Sequence, residues 1–340
     1  MTLPRPAWFD PVFAALLAGD DFPPAHLTSA FRDLLAGKVD EPLAAALLTA
    51  LRMKGETAAE VAAAAAALRE QMIRLVPTSG PVLDTCGTGG DDAGTFNIST
   101  AAAFVAAAAG VPVVKHGNRA VSSKSGSADV LRELGVPIES GVEWAQRCLD
   151  RAGFAFCYAP HFHPGMAHVA PLRRKLGVRT IFNLLGPLAN PASADYQLIG
   201  VGNADLLDVL AGALAELNVH RAVLVCGFDG LDEVSLAAPT MVRVVEGDQF
   251  HADEWDRTDF GLDAVNPADL RVSTPAESAA VVRRVLDGED GPALRMVLAN
   301  AAAALWTAGA VPHLRAGVDT AEAAVRGGGA KAVLDRLVGS

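Results

Sequence analysis

Glycines, hydroxyls and a carboxylate crowd the stretch Gly87-Thr88-Gly89-Gly90-Asp91, with Thr95-Phe96-Asn97-Ile98-Ser99-Thr100 close behind. Glycine lets the backbone take positive φ and lets several N–H groups converge on one ligand. Beside a helix N-terminus such a nest suits an anion, phosphate above all. The run lacks the Lys-Ser/Thr ending of a nucleotide P-loop, and its glycine spacing is not the dinucleotide fingerprint. Asp91 would repel a bare phosphate, so a hydroxyl or a metal-bound group is implied there. A tight strand-to-helix turn without a ligand would use the same glycines. The hydroxyl and amide cluster from Thr95 to Thr100 favours a phosphorylated ligand.

A second run dense in hydroxyls and cations is Lys115-His116-Gly117-Asn118-Arg119-Ala120-Val121-Ser122-Ser123-Lys124-Ser125-Gly126-Ser127. The chain carries a net charge of −11, yet no Asp or Glu occurs between Ala93 and Ala128. None occurs between Arg151 and Ala194 either, where Arg173, Arg174, Lys175 and Arg179 cluster with His161, His163 and His168. Two acid-free basic stretches in an acidic protein suggest a local pocket for small anions, against the plainer reading of solvated faces. Adjacent acids at Asp232 and Glu233 follow Gly230; alone they would read as an exposed acidic turn. The histidines lack a ligand motif and magnesium avoids imidazole, so His116 and His163 are expected to line the site rather than hold metal.

The elements that must position these groups follow from periodicity. Residues 1–76 read as helical throughout, with apolar positions at helical spacing in Val12–Leu17, Leu27–Leu35 and Leu43–Leu51, and Thr57 with Glu60 in capping-box register. From Val82 strands and helices alternate: strands at 82–86, 111–115, 154–158, 196–201, 221–227 and 241–245, with Ser140 and Glu143 capping a helix between. Such alternation argues a mostly parallel sheet covered on both faces, with both hydroxyl-rich loops at the C-terminal strand edge where α/β sheets bind ligands. Residues 164–188 and the chain from Ala276 onward read as helical. The fold class is therefore α/β, a small helical domain beside a larger sheet domain.

At 340 residues, half of them hydrophobic, the chain can bury a large core and is not disordered. No stretch reads as a signal peptide or membrane span. Four scattered cysteines read as reduced core thiols of a cytoplasmic protein. The negative charge disfavours nucleic acid.

The ordered motifs Gly87–Asp91, Thr95–Thr100, Lys115–Ser127, Arg173 with Leu176-Gly177, Arg179–Asn190 and Gly230-Leu231-Asp232-Glu233 closely resemble those of the anthranilate phosphoribosyltransferases. The resemblance implies transfer of a phosphoribosyl group from phosphoribosyl pyrophosphate to the amine of anthranilate in tryptophan biosynthesis, with magnesium as cofactor. It implies that Gly87, Gly90, Asp91, Thr95, Asn97, Ile98, Ser99 and Thr100 hold the ribose and pyrophosphate, and that Lys115, His116, Gly117, Asn118, Arg119, Ala120, Val121, Ser122, Ser123 and Ser127 surround the phosphates from the opposite loop. Asn118 and Arg173 would bind anthranilate, Arg173 at its carboxylate, and Ser99, Asp232 and Glu233 would bind magnesium. It further implies that residues 164–190 fold back onto a helical domain of residues 1–76, leaving 77–163 and 191–340 as the α/β domain, and that a homodimer forms through the helical domain. Two positions depart from the family pattern: Gly165 stands where alanine is common, and Ala120 where serine is common. A pyrimidine nucleoside phosphorylase, or a non-catalytic nucleic-acid-binding relative, are the alternatives on the same architecture.

Overall fold

The structure, a computed structural model, describes residues 3–78, 80–91, 93–119 and 125–340. Four helices come first: α1 (Phe9–Ala18), α2 (Leu27–Leu35), α3 (Glu41–Lys54) and α4 (Ala58–Glu70). The Thr57 hydroxyl accepts the Glu60 N–H and the Glu60 carboxylate accepts the Thr57 N–H, a complete capping box. Glu60 is buried because it also takes the Phe22 N–H at 2.9 Å and the Lys54 ammonium at 2.9 Å. Helix does not continue to residue 76 as expected; it stops at Glu70, and the described residues between it and β1 form no regular element.

Next come β1 (Leu83–Gly87), α5 (Ile98–Ala108), β2 (Val113–Gly117), α6 (Ser127–Glu133), α7 (Gly141–Ala152), β3 (Phe154–Tyr158), α8 (Ala159–Phe162) and α9 (Met166–Leu176). They are followed by β4 (Tyr196–Gly200), α10 (Leu207–Glu216), β5 (Val219–Gly227), β6 (Thr240–Gly247) and β7 (Gln249–Trp255). The chain ends in α11 (Arg257–Phe260), α12 (Pro275–Leu286), α13 (Pro292–Thr307), α14 (Leu314–Arg326) and α15 (Gly329–Val338). Ser140 precedes α7 as expected but makes no capping bond; its backbone (φ −86°, ψ 2°) is not the extended conformation that aims a cap hydroxyl at the helix amides. Regular α-helix within 164–188 ends at Leu176, where Gly177 takes φ +64°.

The seven strands order β3-β2-β1-β4-β5-β6-β7; the first five are parallel and the last two form an antiparallel hairpin extension. Along β5 the two faces alternate with period two. Val223 and Val225 join a core with α5, α7 and α12–α15, while Ala222, Leu224 and Cys226 join a core with α1–α4, α9 and α10. The second core contains Val169 and Leu172 of α9 beside Phe31, Leu34 and Leu35 of α2. Lys175 reaches Glu41 at 2.6 Å and Arg69 donates to the Leu188 carbonyl at 2.5 Å, so α9 and the turn after it are tied to α3 and α4. Strand order reverses at the β1–β4 pair, and a ligand crevice is expected outside the C-terminal ends of those strands.

Candidate active site

A cavity of about 650 Å³ opens at that reversal point. Its walls are the loop after β1, the N-terminus of α5, the end of β2 and the loop after it, α9 with the turn after it, and the loop after β5. Gly87, Gly90, Asp91, Thr95, Asn97, Ser99, Lys115, His116, Gly117, Asn118, Arg119, Ser127, Arg173, Asp232 and Glu233 all line it. Ile98 and Thr100 do not, because the first turn of α5 aims both side chains into the core, where each is fully buried. Ala120, Val121, Ser122 and Ser123 lie outside the described residues.

The glycine loop rests on the end of β4. Thr88 donates its N–H to the Gly200 carbonyl at 2.9 Å, and its hydroxyl accepts the Gly202 N–H at 3.2 Å. Gly200 must be glycine, since a Cβ there would lie 1.7 Å from the Asp232 carbonyl oxygen. That close approach seats the acid pair against the end of β1. Gly90 takes φ +84°, and Arg179 lies over it, donating to the Gly89 carbonyl at 2.9 Å. Asn97, which opens α5, accepts the hydroxyls of Ser125 and Ser278 at 3.0 and 2.9 Å.

Lys115 is buried beneath the cavity floor. Its ammonium donates to the Thr85 carbonyl, and at 3.3 Å to the Ser99 hydroxyl. Burial pulls its pKa down, against the pull of Asp84 and the acids after β5. Glu233 accepts the Ser99 N–H at 3.0 Å, so a carboxylate sits on the first turn of α5. Burial first, then the neighbouring Asp232 charge, pushes the Glu233 pKa up; burial first, then Asp91, does the same for Asp232. Hard oxygen donors crowded in this way fit magnesium, whose charge would relieve their mutual repulsion. Among the described residues no group of three or more His, Cys, Asp or Glu forms a complete metal site, so further ligands would come from substrate oxygens and water.

Arg119 makes an ion pair with Glu139 and stacks over Tyr158 at 5.7 Å, so its charge is already matched. Arg173 is different. It has no carboxylate partner among the described residues, its guanidinium lies 6.0 Å from the Phe182 ring, and burial lowers its pKa. His116 and His163 touch, Nε2 to Nε2, at 3.1 Å, and His116 Nδ1 meets the Gly186 carbonyl at 3.0 Å. That carbonyl fixes the proton of His116 on Nδ1, so His163 Nε2 is the donor between the rings. Both rings are buried and held neutral, His163 with its pKa lowered to about 3 by burial and by His116. His161 and His168 do not line the cavity. Gly165 has a steric reason: an alanine Cβ there would meet Gln71 Oε1 at 2.8 Å and the Leu35 carbonyl at 3.3 Å.

From sequence, Arg179 and Ser125 carry no specific role, though they lie in the basic cluster and the hydroxyl-rich run, and Gly200 and Ser278 are not marked at all. The Gly200-Val201-Gly202 spacing at a strand end was a readable signal for Gly200; nothing local marks Ser278.

Comparisons with known proteins agree with this geometry. Residues 79–331 match the Glycosyl transferase family a/b domain, and residues 11–72 its helical bundle domain. The anthranilate phosphoribosyltransferase of Symbiobacterium thermophilum is 47% identical over 319 residues, covering 94% of both chains. The crystal structure of anthranilate phosphoribosyltransferase from Thermus thermophilus superposes with a TM-score of 0.89 at 42% identity, covering 96% of this chain and 98% of that one. The Saccharomyces cerevisiae anthranilate phosphoribosyltransferase in complex with PRPP and Mg also gives 0.89, at 28% identity and 98% coverage of each chain.

Proposed function

The chain belongs to the anthranilate phosphoribosyltransferase family, and on that premise we infer that it transfers the phosphoribosyl group of phosphoribosyl pyrophosphate to the amine of anthranilate, releasing pyrophosphate. One observation carries the reading: a glycine loop suited to an anion, a half-buried acid pair and an arginine with no carboxylate partner among the described residues line the same cavity.

Backbone amides of residues 87–91 and the Asn97 side chain hold the ribose and pyrophosphate. Asn118 and Arg173 hold anthranilate, the guanidinium fork of Arg173 matching its carboxylate. Asp232 and Glu233, with Ser99, would hold magnesium, which would neutralise charge developing on the leaving pyrophosphate. Departure leaves an oxocarbenium-like ribose, and the aryl amine, neutral at pH 7, attacks without needing a strong base. The neutral His116–His163 pair fits a site whose rate comes from positioning and electrostatics. The phosphorylase alternative would leave Arg173 and the acid pair without ligands, and the net charge of −11 opposes the nucleic-acid alternative.

We read residues 1–76 with 164–190 as a helical domain, and 77–163 with 191–340 as the phosphoribosyl-binding domain. A homodimer through the helical domain is supported by Leu17 on α1 and Met53 on α3, 68% and 84% exposed, which a second copy would cover. A cytoplasmic place in tryptophan synthesis is supported by four buried cysteines outside any disulfide. Among the described residues no helix is long and apolar enough to cross a membrane.

Anthranilate fluorescence should vanish when the protein, phosphoribosyl pyrophosphate and magnesium are mixed, and persist when any one is omitted. Fluorescence that persists in the complete mixture refutes the assignment.

A further inference from the structure

Asn97 opens α5 but does not cap it, since its side chain makes no hydrogen bond to the helix amides. Its Oδ1 instead accepts two hydroxyls, Ser125 from the loop after β2 and Ser278 from α12, 181 residues further along the chain. Ser278 is fully buried, and its Oγ also accepts the Asn97 backbone N–H at 3.0 Å. A serine hydroxyl carries one proton, and a buried proton without an acceptor is costly. The Ser278 proton therefore demands the amide oxygen of Asn97; the amide nitrogen in its place would leave that proton orphaned. With both serines on the oxygen, Nδ2 of Asn97 has no hydrogen-bond partner among the described residues, and Asn97 lines the cavity.

We propose that Ser278 is a positioning residue for the transfer: its reciprocal bond with Asn97 locks that amide nitrogen towards the cavity, where it donates to an oxygen of phosphoribosyl pyrophosphate. The inference rests on the function proposed above. Ser278 touches no substrate and acts only through Asn97, and Ser125 couples the same amide to the opposite loop.

Calorimetry with phosphoribosyl pyrophosphate and magnesium, together with the KM of each substrate, tests it. Ser278→Ala should weaken phosphoribosyl pyrophosphate about tenfold, the usual scale for one misdirected hydrogen bond, and leave the anthranilate KM within about twofold, while Ser278→Thr keeps the hydroxyl and restores binding. Asn97→Asp offers both serines the same acceptor oxygen and is as good a helix-opening residue, so it should fold normally. It replaces the donor with a carboxylate and should lose binding at least as strongly. Binding unchanged in Ser278→Ala or Asn97→Asp, or equal losses for both substrates, overturns the inference. Should Ser278→Ala fail to fold, Asn97→Asp decides alone. A parent protein that binds no phosphoribosyl pyrophosphate overturns the function itself and this inference with it.

Discussion

Arg173→Ala is the substitution that separates recognition of anthranilate from every other role of the cavity. The arginine sits in the last turn of α9, within a segment from Arg151 to Ala194 that contains no acid. It is half-buried with no carboxylate partner among the described residues, so its desolvation is offset there by the Phe182 ring. A ring contact of this kind is worth about 0.5–1 kcal/mol, and relief of the unpaired charge offsets part of its loss. The melting temperature should therefore barely move. Losing a charge-assisted contact to the substrate carboxylate costs about 1.5–3 kcal/mol, about ten- to 150-fold in KM. Initial rates followed by anthranilate fluorescence, varying each substrate in turn, should show that rise for anthranilate and little change for phosphoribosyl pyrophosphate. Arg173→Lys keeps the charge but loses the planar fork, so its effect should fall between parent and alanine. Equal rises for both substrates, no rise at all, or a large fall in melting temperature would make Arg173 a structural residue and refute the reasoning.

Asp232→Ala with Glu233→Ala should abolish the magnesium dependence and nearly all turnover while circular dichroism stays unchanged; wild-type activity in the double variant would remove the metal assignment. Gly90→Val forces a branched residue to φ +84° and drives its Cβ to within 2.1 Å of the Arg179 guanidinium, so calorimetry should find phosphoribosyl pyrophosphate binding lost, and retained binding would reduce the loop to a turn. His163 stays neutral when folded, with a pKa of about 3, but protonates near its ordinary 6.5 when unfolded, so the unfolded state binds more protons and stability falls as pH drops below 6.5. At pH 5, one and a half units lower, the loss is about 2 kcal/mol at about 1.4 kcal/mol per unit; denaturant titrations of parent and His163→Gln should diverge in slope against pH, and parallel curves would mean His163 protonates freely in the fold.

The fold was legible where one element decides its own pattern. The capping box at Thr57 and Glu60, and the strands β1 to β5, rest on local chemistry and on apolar runs buried from both faces. β7 escaped because it is an edge strand: Gln249–Glu254 are all exposed and only Trp255 is buried, so no alternation marks it. The tight Gly247-Asp248 link to β6 was its one readable signal. Residues 71–76 and 177–188 read as helix because their apolar spacing suits one, yet backbone groups there bond to other elements instead of to a helix of their own. Ile73 gives its N–H to the Phe162 carbonyl, and Leu188 its carbonyl to Arg69.

Within the site, residue types were legible and their partners were not. Composition marked Arg119 and Arg173 alike as cations in acid-free stretches, but Glu139 neutralises one and nothing described neutralises the other. The acid pair and the glycine loop likewise read as two motifs more than 130 residues apart, and the fold makes them one. Glu233 occupies the Ser99 N–H that a helix start would otherwise offer an anion, and Lys115 beneath them reaches the Ser99 hydroxyl and the Thr85 carbonyl. One hydrogen-bonded set thus joins β1, β2, α5 and the loop after β5. Any change in the charge of the acid pair is felt at the first turn of α5, because Glu233 bonds to its Ser99 N–H. In a buried network of this kind pairwise contributions do not add. On the assignment proposed above, the leaving group and the metal would share one electrostatic site, and the glycine at position 200 is what lets the loop after β5 come close enough to the end of β1 for that.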